Sequence, residues 1–589
     1  MQKVNVDEPE ILKSNGEYLF YYADAGYNSQ NNYISIIKTP KKADLTDAEI
    51  VKKIKIPTAL SNIQLFLQDQ QLIILGSKRS ETESLLGRGR TVAIVYDISD
   101  MEQLVLKKLV EVNGGYQDAR IVNNELYLVS NVSLNWYHIA YDVTGIVFND
   151  LLPSATEIHL TDGISSTQQP IVLGTGTSLA FYTKTKIPLP CNQIFYLFPS
   201  EETLKERQLY PNFTLISKLS LSNLDKKLDQ SLVFGSVQDV HMSENALYLP
   251  SSLYFSSPRT CLGCRRRTYN AGENTLVHKF TLGNKISYQT SLIIPGAPLN
   301  QYAMDEDEQE NFRILTKTYA PNLATHFFVF DKEFKVAGQL LNIEPGEEFK
   351  SSRYIGDTLY LVTFQQIDPL FVVDIADITK PKIIGELKIP GFSTYLHPYT
   401  AASQGIQYLI GLGYSVKDNG RGGQTTDNVK VDLYKIDYTS KETAQTKCSA
   451  LSATSKEYAS CVEEVNTGNI AVSLVSSHEF TGQRSSSPAL TNPRTFVRNS
   501  AKKLLLLPLL SYGSGYSTPS FAGLKGITIP PEGSMKEEIS QNYIQLATQN
   551  NTFHNANQAR VGYIGEVNYY LLPTFAGFNS GNMRIELTK

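Results

Sequence analysis

Positive charge is not in surplus in this chain. Against 58 Asp and Glu there are 54 Lys and Arg, so 589 residues carry a net charge of −4. A nucleic-acid binder needs a clustered excess of cations to meet phosphates, and the balance here argues against that class of partner. Long hydrophobic runs are missing too. No stretch approaches the roughly 20 apolar residues that a membrane-crossing helix requires, and the opening MQKVNVDEPE has no apolar core of an export signal. The eight histidines form neither HxH nor HExxH, so the short zinc spacings are absent. Sustained amphipathic helical periodicity is lacking as well; only the neighbourhoods of Lys205 and Met535 suggest short helices. Charged residues are 19% of the chain, below the roughly 25% of an ordinary soluble domain. What is abundant is aromatic and aliphatic: 34 Tyr, 25 Phe and many Leu, Ile and Val. Enough apolar surface is present to bury a large core, which excludes a disordered chain.

The apolar residues are organised as a recurring unit. A short apolar strand reaches a polar or Gly turn and returns as a second, aromatic-rich strand. EILKSNGEYLFYY turns at Asn15 and Gly16, NIQLFLQDQQLIILG at Asp69, and ARIVNNELYLVS at Asn123 and Asn124. DVHMSENALYLP turns at Glu244 and Asn245, and SSRYIGDTLYLVTF at Gly356 and Asp357. The series closes with RVGYIGEVNYYLL, turning at Gly565 and Glu566. Each reads as an antiparallel hairpin. Several continue into further strands ending at acidic turns, as in TVAIVYDISD, HFFVFDKEFKVAGQL and NVKVDLYKID. Three or four strands per unit, repeated at about 50 to 70 residues, is the pattern of β-propeller blades, each covering a flank of the next. The expectation is an all-β fold: a single large β-propeller of eight blades, with seven to nine as the range, spanning 1–589. The N- and C-terminal segments close the ring, and inserted loops fall at about 140–230, 257–272 and 440–490.

The cysteines suggest a compartment. Cys448 and Cys461 bracket a short polar segment and are expected to pair, a bridge that presumes an oxidising environment. Cys261 and Cys264 form a CxxC flanked by Pro258, Gly263 and Gly272. That loop setting lacks the helix that activates redox CxxC thiols, so a local disulfide is expected. The alternative, half of a zinc site completed by His241 and His278, lacks a second CxxC. Cys191 is left over and expected to be buried. A composition poor in charge and rich in neutral polar residues accords with an extracellular or cell-surface protein whose export signal has been removed.

Candidate site residues are few. Asp305, Glu306, Asp307 and Glu308 form an acidic cluster, and Asp418 and Asp427 flank a glycine-rich turn. Oxygen ligands of this kind suit Ca²⁺, although neither set has the spacing of a calcium loop; a solvated turn is the plainer account of each. Ca²⁺ is therefore the one cofactor the residues suggest, with Asp305, Asp307, Asp418 and Asp427 as its candidates. His397, between Tyr395 and Tyr399, carries an imidazole whose reference pKa lies near neutrality, but packing is its plainer role. Asp305, Asp307, Arg353 and His397 are the candidate ligand-binding residues, and no residue is assigned a catalytic role.

A group of segments carries a family resemblance. KPKIIGELKIPGFSTYLHPY (380–399), YLIGLGY (408–414) ahead of NVKVDLYKID, LNQYAMDED (299–307), YDISD and VDEPEILKSNGEYLFYY occur in succession. Together they resemble prokaryotic secreted proteins with a β-propeller domain distantly related to WD-40 repeats, over residues 4 to 437 and more weakly beyond. The resemblance implies a secreted or cell-surface propeller and no particular reaction. The expected function is a non-catalytic binding, adhesion or surface-assembly module that meets a protein or glycan through loops on one ring face. The alternative is an enzyme, such as a hydrolase, a lyase or a metal-dependent enzyme, with a site in the central funnel, because the fold itself hosts many chemistries.

Overall fold

A computed structural model describes residues 5–588 outside a set of connecting segments. These segments are 24–31, 40–48, 57–59, 81–84, 136–151, 162–168, 173–178, 196–207, 210–211, 253–254, 257–273, 320–321 and 365–367. The rest are 404, 419–423, 442–469, 481–483, 500–501, 514–518, 531–532, 543–558, 565–566 and 576–580.

The hairpin turns fall where the polar residues stand. Asn123 and Asn124 have φ of 51° and 58°, the left-handed pair that a two-residue hairpin turn demands and that Asn tolerates. The strands they join, Gly115–Val122 and Glu125–Ser133, meet with Val122 opposite Glu125. Asp69 at φ 51° and Gly356 at φ 54° turn two further hairpins. Alternation then decides which flank each side chain covers. From Glu125–Ser133, Leu126 and Leu128 pack with Leu75, Ala93 and Val110 of the preceding sheet. Tyr127 and Val129 pack with Leu247, Leu249 and Phe280 of the following one. One strand thus seals two interfaces, so each blade depends on its neighbours to bury its flanks.

Ten sheets form among the described residues, and eight of them hold four or more strands. These are the eight blades of an all-β propeller. Blade 1 runs from Leu12–Ser14 to Glu49–Lys55 and blade 2 from Leu60–Gln68 to Val105–Asn113. Blade 3 starts at Gly115–Val122, blade 4 at Ser236–Val237, blade 5 at Met304–Glu306, blade 6 at Glu348–Ile355, blade 7 at Phe392–Ser403 and blade 8 at Arg484–Ser486. A three-stranded sheet, Arg560–Ile564, Val567–Phe575 and Gly581–Thr588, joins the last blade to the first. Its Val561 and Tyr570 pack on Leu504, Leu506 and Leu524 of blade 8, while Tyr569 and Leu571 enter the core of blade 1 beside Leu19 and Tyr21.

The N-terminal segment, residues 5–11, is a strap along the inside of the ring. Val6 sits in the core between blades 3 and 4. Asp7 exchanges two backbone hydrogen bonds with Ile121 of blade 3, and Glu10 exchanges two with Leu65 of blade 2. Ile11 then accepts from the Tyr22 amide of blade 1.

Two expectations change. Met535 opens no helix; it leads into the edge strand Lys536–Asn542 of blade 8. Cys191 is exposed and free rather than buried, because it lies in a short 3-10 turn, Cys191–Gln193, at the surface. The insertion at 140–230 carries strands of its own, FTLISKLSL among them. Ser154–Thr161, Leu179–Pro188 and Gln169–Val172 widen blade 2 to seven strands, and Asn212–Ser220 and Asp229–Phe234 complete blade 3. Cys261, Cys264, Cys448 and Cys461, and most of the segments that carry them, lie outside the described residues.

Candidate functional site

Where the first strands of the blades converge, side chains from the strap and six blades meet. Pro9, Gln64 of blade 2, Asp118 of blade 3, Asp239 of blade 4, Tyr302 just ahead of the first strand of blade 5, Tyr395 of blade 7 and Arg494 of blade 8 line one cavity of about 350 Å³. Residues from so many blades can adjoin only at the ring axis, and this cavity marks it.

One arc of the axis is a set of closed ion pairs. Arg120, fully buried, donates to Asp118 Oδ1 at 2.5 Å, Gln301 Oε1 at 2.6 Å and the Ala119 carbonyl at 2.7 Å. Arg494 donates to Glu8 Oε2 at 2.9 Å through Nε and to the Pro9 carbonyl at 2.8 Å. Arg560 meets Glu10 Oε1 at 2.6 and 3.0 Å, and Asn492 Nδ2 donates to Glu10 Oε2 at 3.2 Å. Ion pairs this buried hold only when hydrogen bonds satisfy both partners; the strap supplies the carboxylates for Arg494 and Arg560, and Asp118 of blade 3 supplies that for Arg120. Burial pushes the Glu8 carboxyl up, but Arg120 and Arg494 together outweigh it and bring the group down to about 2. Asp239 goes the other way: burial and the neighbouring Asp118 charge raise it to about 6.

The neighbouring arc holds two of the residues singled out in the sequence. Arg353 lies on the first strand of blade 6 and His397 on that of blade 7; Arg498 follows on the strand Val497–Asn499 of blade 8. The Arg353 guanidinium lies 5.8 Å from the Tyr302 ring centre and that of Arg498 lies 4.2 Å from Tyr399. His397 meets Phe496 edge to face at 5.2 Å, and its Nδ1 is 3.3 Å from the Tyr395 hydroxyl. Burial above all, then the Arg353 and Arg498 charges, pushes the imidazole down to about 3. At neutral pH it is an uncharged, weakly basic ring.

Asp305 and Asp307 are placed elsewhere, between blades 4, 5 and 6. With Glu244, Glu310 and Asp357 they line a separate cavity of about 710 Å³. The buried Arg313 sits among them, at 3.5 Å from Asp305, 2.9 Å from Asp307 and 3.4 Å from Asp357. Asp307 also accepts from the Asn311 amide and side chain, each at 2.9 Å. A guanidinium thus stands where a cation bound by Asp305 and Asp307 would place its charge. Asp418 and Asp427 stand at the mouth of a blade 7 hairpin, Asp427 paired to Lys417 at 2.6 Å; the tip, 419–423, is outside the described residues. Among the described residues no three His, Cys, Asp or Glu are grouped to hold a metal ion. His278, the histidine imagined beside the CxxC, engages Ser291 at 2.6 Å and the Phe234 carbonyl at 3.1 Å.

Sequence reasoning missed Glu8, Glu10, Arg120, Asp239, Arg494, Arg498 and Arg560. Their partners are up to 550 residues away, so no local spacing announces them. The available signal was an ionisable residue on the core-facing register of a first strand, as in DARIV ahead of the Asn123 turn.

Comparison with known proteins agrees with this architecture. Residues 1–459 match the family described as beta propeller domain. An uncharacterized protein of Methanocaldococcus jannaschii is 26% identical over 466 residues, 74% of this chain and 66% of that protein. An uncharacterized protein of Archaeoglobus fulgidus is 25% identical over 478 residues, 74% of this chain and 68% of that protein. The chain thus spans about two thirds of the length of the relatives it matches. Among solved structures it is similar to a hypothetical selenium-binding protein from Sulfolobus tokodaii, with 12% identity over 80% of this chain and 91% of that one, at a TM-score of 0.31. It is also similar to the beta-propeller domain of the Trilobed protease from Pyrococcus furiosus, with 8% identity over 62% and 96%, at a TM-score of 0.20.

Proposed function

Because the chain belongs to the beta propeller domain family, we propose that it works as a propeller scaffold: an exported or cell-surface, non-catalytic module that binds a protein or glycan through loops on one ring face. The observation that carries this reading is the strap. The chain's own residues 5–11 run along the inner strands, and Glu8 and Glu10 are committed to Arg494 and Arg560. Charge at that part of the axis is spent on closing the ring. His397, the residue best suited by type to act as a base, is held near pKa 3, far from the operating range of a general base at neutral pH. Recognition then falls to the loops, which a rigid scaffold can present without disturbing its core.

Two measurements test this. Cell fractionation of the native host is expected to place the protein in the envelope or the medium, and recovery in the cytosol alone overturns the location. Deleting residues 257–272, which carry the CLGC sequence, is expected to leave the melting transition in place and to weaken capture of envelope components in a pull-down. Unchanged capture removes that segment from the binding face.

A further inference from the structure

The two arcs of the axis differ in charge balance. Arg120, Arg494 and Arg560 each hold a carboxylate at hydrogen-bond distance. Among the described residues no carboxylate pairs with Arg353 or Arg498; the Nε of each, like that of Arg120, is buried without a hydrogen-bond partner, and Arg498 otherwise meets only the neutral Tyr399 hydroxyl. Glu8, whose charge also reaches Tyr302 and Tyr395, is already committed to Arg494. The two guanidiniums flank His397 from the first strand of blade 6 and the strand Val497–Asn499 of blade 8, their charges both reaching its ring, with Tyr302, Tyr399 and Phe496 as walls. A guanidinium stacked on an aromatic ring keeps its edge donors free for a planar acceptor. A buried donor left unmet, as each Nε is, costs free energy, and an anion that meets the guanidinium edges gains charge-assisted hydrogen bonds.

We infer that Arg353 and Arg498 form an oxyanion-binding site across His397, open to a carboxylate or phosphoryl group of a small ligand or of a partner's side chain. Uncharged at neutral pH, His397 adds a polar edge without adding a third cation. This goes beyond the loop-face reading and does not depend on it, because the site is on the axis and is tested on the isolated protein.

The test is titration calorimetry of the full chain with inorganic phosphate and, separately, acetate. Saturable binding of one or both to the wild type is expected, with affinity weakened by about tenfold or more in Arg353→Met and in Arg498→Met, as expected for loss of one charge-assisted pair. Arg79→Met, on an outward strand end of blade 2, is expected to bind as the wild type does. Thermal melts confirm that each variant is folded; removing a half-buried cation that has no carboxylate partner is expected to leave the transition in place or raise it. No saturable binding to the wild type overturns the inference. So does wild-type affinity in either folded variant.

Discussion

Replacing Glu8 with Gln keeps the shape of the side chain and removes the charge that Arg494 and Arg120 face. The size of the effect follows from the shift. The carboxyl lies at about 2 in the folded chain against a reference of 4.5, a gap worth about 3 kcal/mol at about 1.4 kcal/mol per pKa unit. Glu8 is only 4% exposed, so solvent screening discounts little of this. A carboxyl whose folded pKa is depressed stabilises the fold above its unfolded pKa, and the contribution is lost as pH falls through the folded pKa. Urea unfolding of wild type and Glu8→Gln at pH 7 is therefore expected to differ by about 3 kcal/mol, in line with the known cost of breaking a buried pair. The difference is expected to shrink between pH 4.5 and pH 2. Equal stability at pH 7, or a difference that persists undiminished at pH 2, refutes the strap electrostatics.

The opposite sign is expected at Asp239. Its pKa is raised to about 6, so its charge destabilises the fold as pH rises through that value; Asp239→Asn is expected to raise the unfolding midpoint at pH 7, by about 1–3 kcal/mol, with no gain at pH 4, read from the same urea curves. In blade 7, a Cβ on Gly413 would stand 1.7 Å from the Phe392 carbonyl oxygen, a backbone neighbour that cannot step aside. Gly413→Ala is expected to cost about 3 kcal/mol or more and to lower the melting temperature, through forced overpacking. Leu128 is fully buried between blades 2 and 3, and Leu128→Ala is expected to cost about 2–5 kcal/mol, measured by denaturant unfolding.

The architecture was legible because its determinants are local. The period-two pattern of ELYLVS tells which residues face each neighbouring blade, and Asn123–Asn124 marks the turn without knowledge of the rest. Strand spacing likewise gave the blade count. The stretch 140–230 was harder: Asn212–Ser220 reads as a strand, but nothing in its sequence says that it pairs with Glu125–Ser133 across 78 intervening residues in register with Ser220 opposite Glu125. The site was half legible. Arg353 and His397 were reachable as polar residues on predicted inner strands, and the ring brings them together. Asp305 and Asp307 drew notice as a charge cluster, yet Arg313, six residues beyond Asp307, already supplies their counter-charge. Helix-poor edges such as Met535 mislead because an acidic stretch like MKEEISQN suits an exposed edge strand as well as a helix end, and only pairing with Pro519–Thr528 decides. The Glu8–Arg494 and Glu10–Arg560 pairs follow from closure of the ring, a property of the whole chain.

Hydrogen exchange of the N-terminal segment tests the closed ring most directly. If residues 5–11 line the inner strands, the amides of Asp7 and Glu10, bonded to Ile121 and Leu65, exchange as slowly as those of the strands Gly115–Val122 and Leu60–Gln68. Exchange of those amides at the rate of a free chain end, while the inner strands remain protected, contradicts the account.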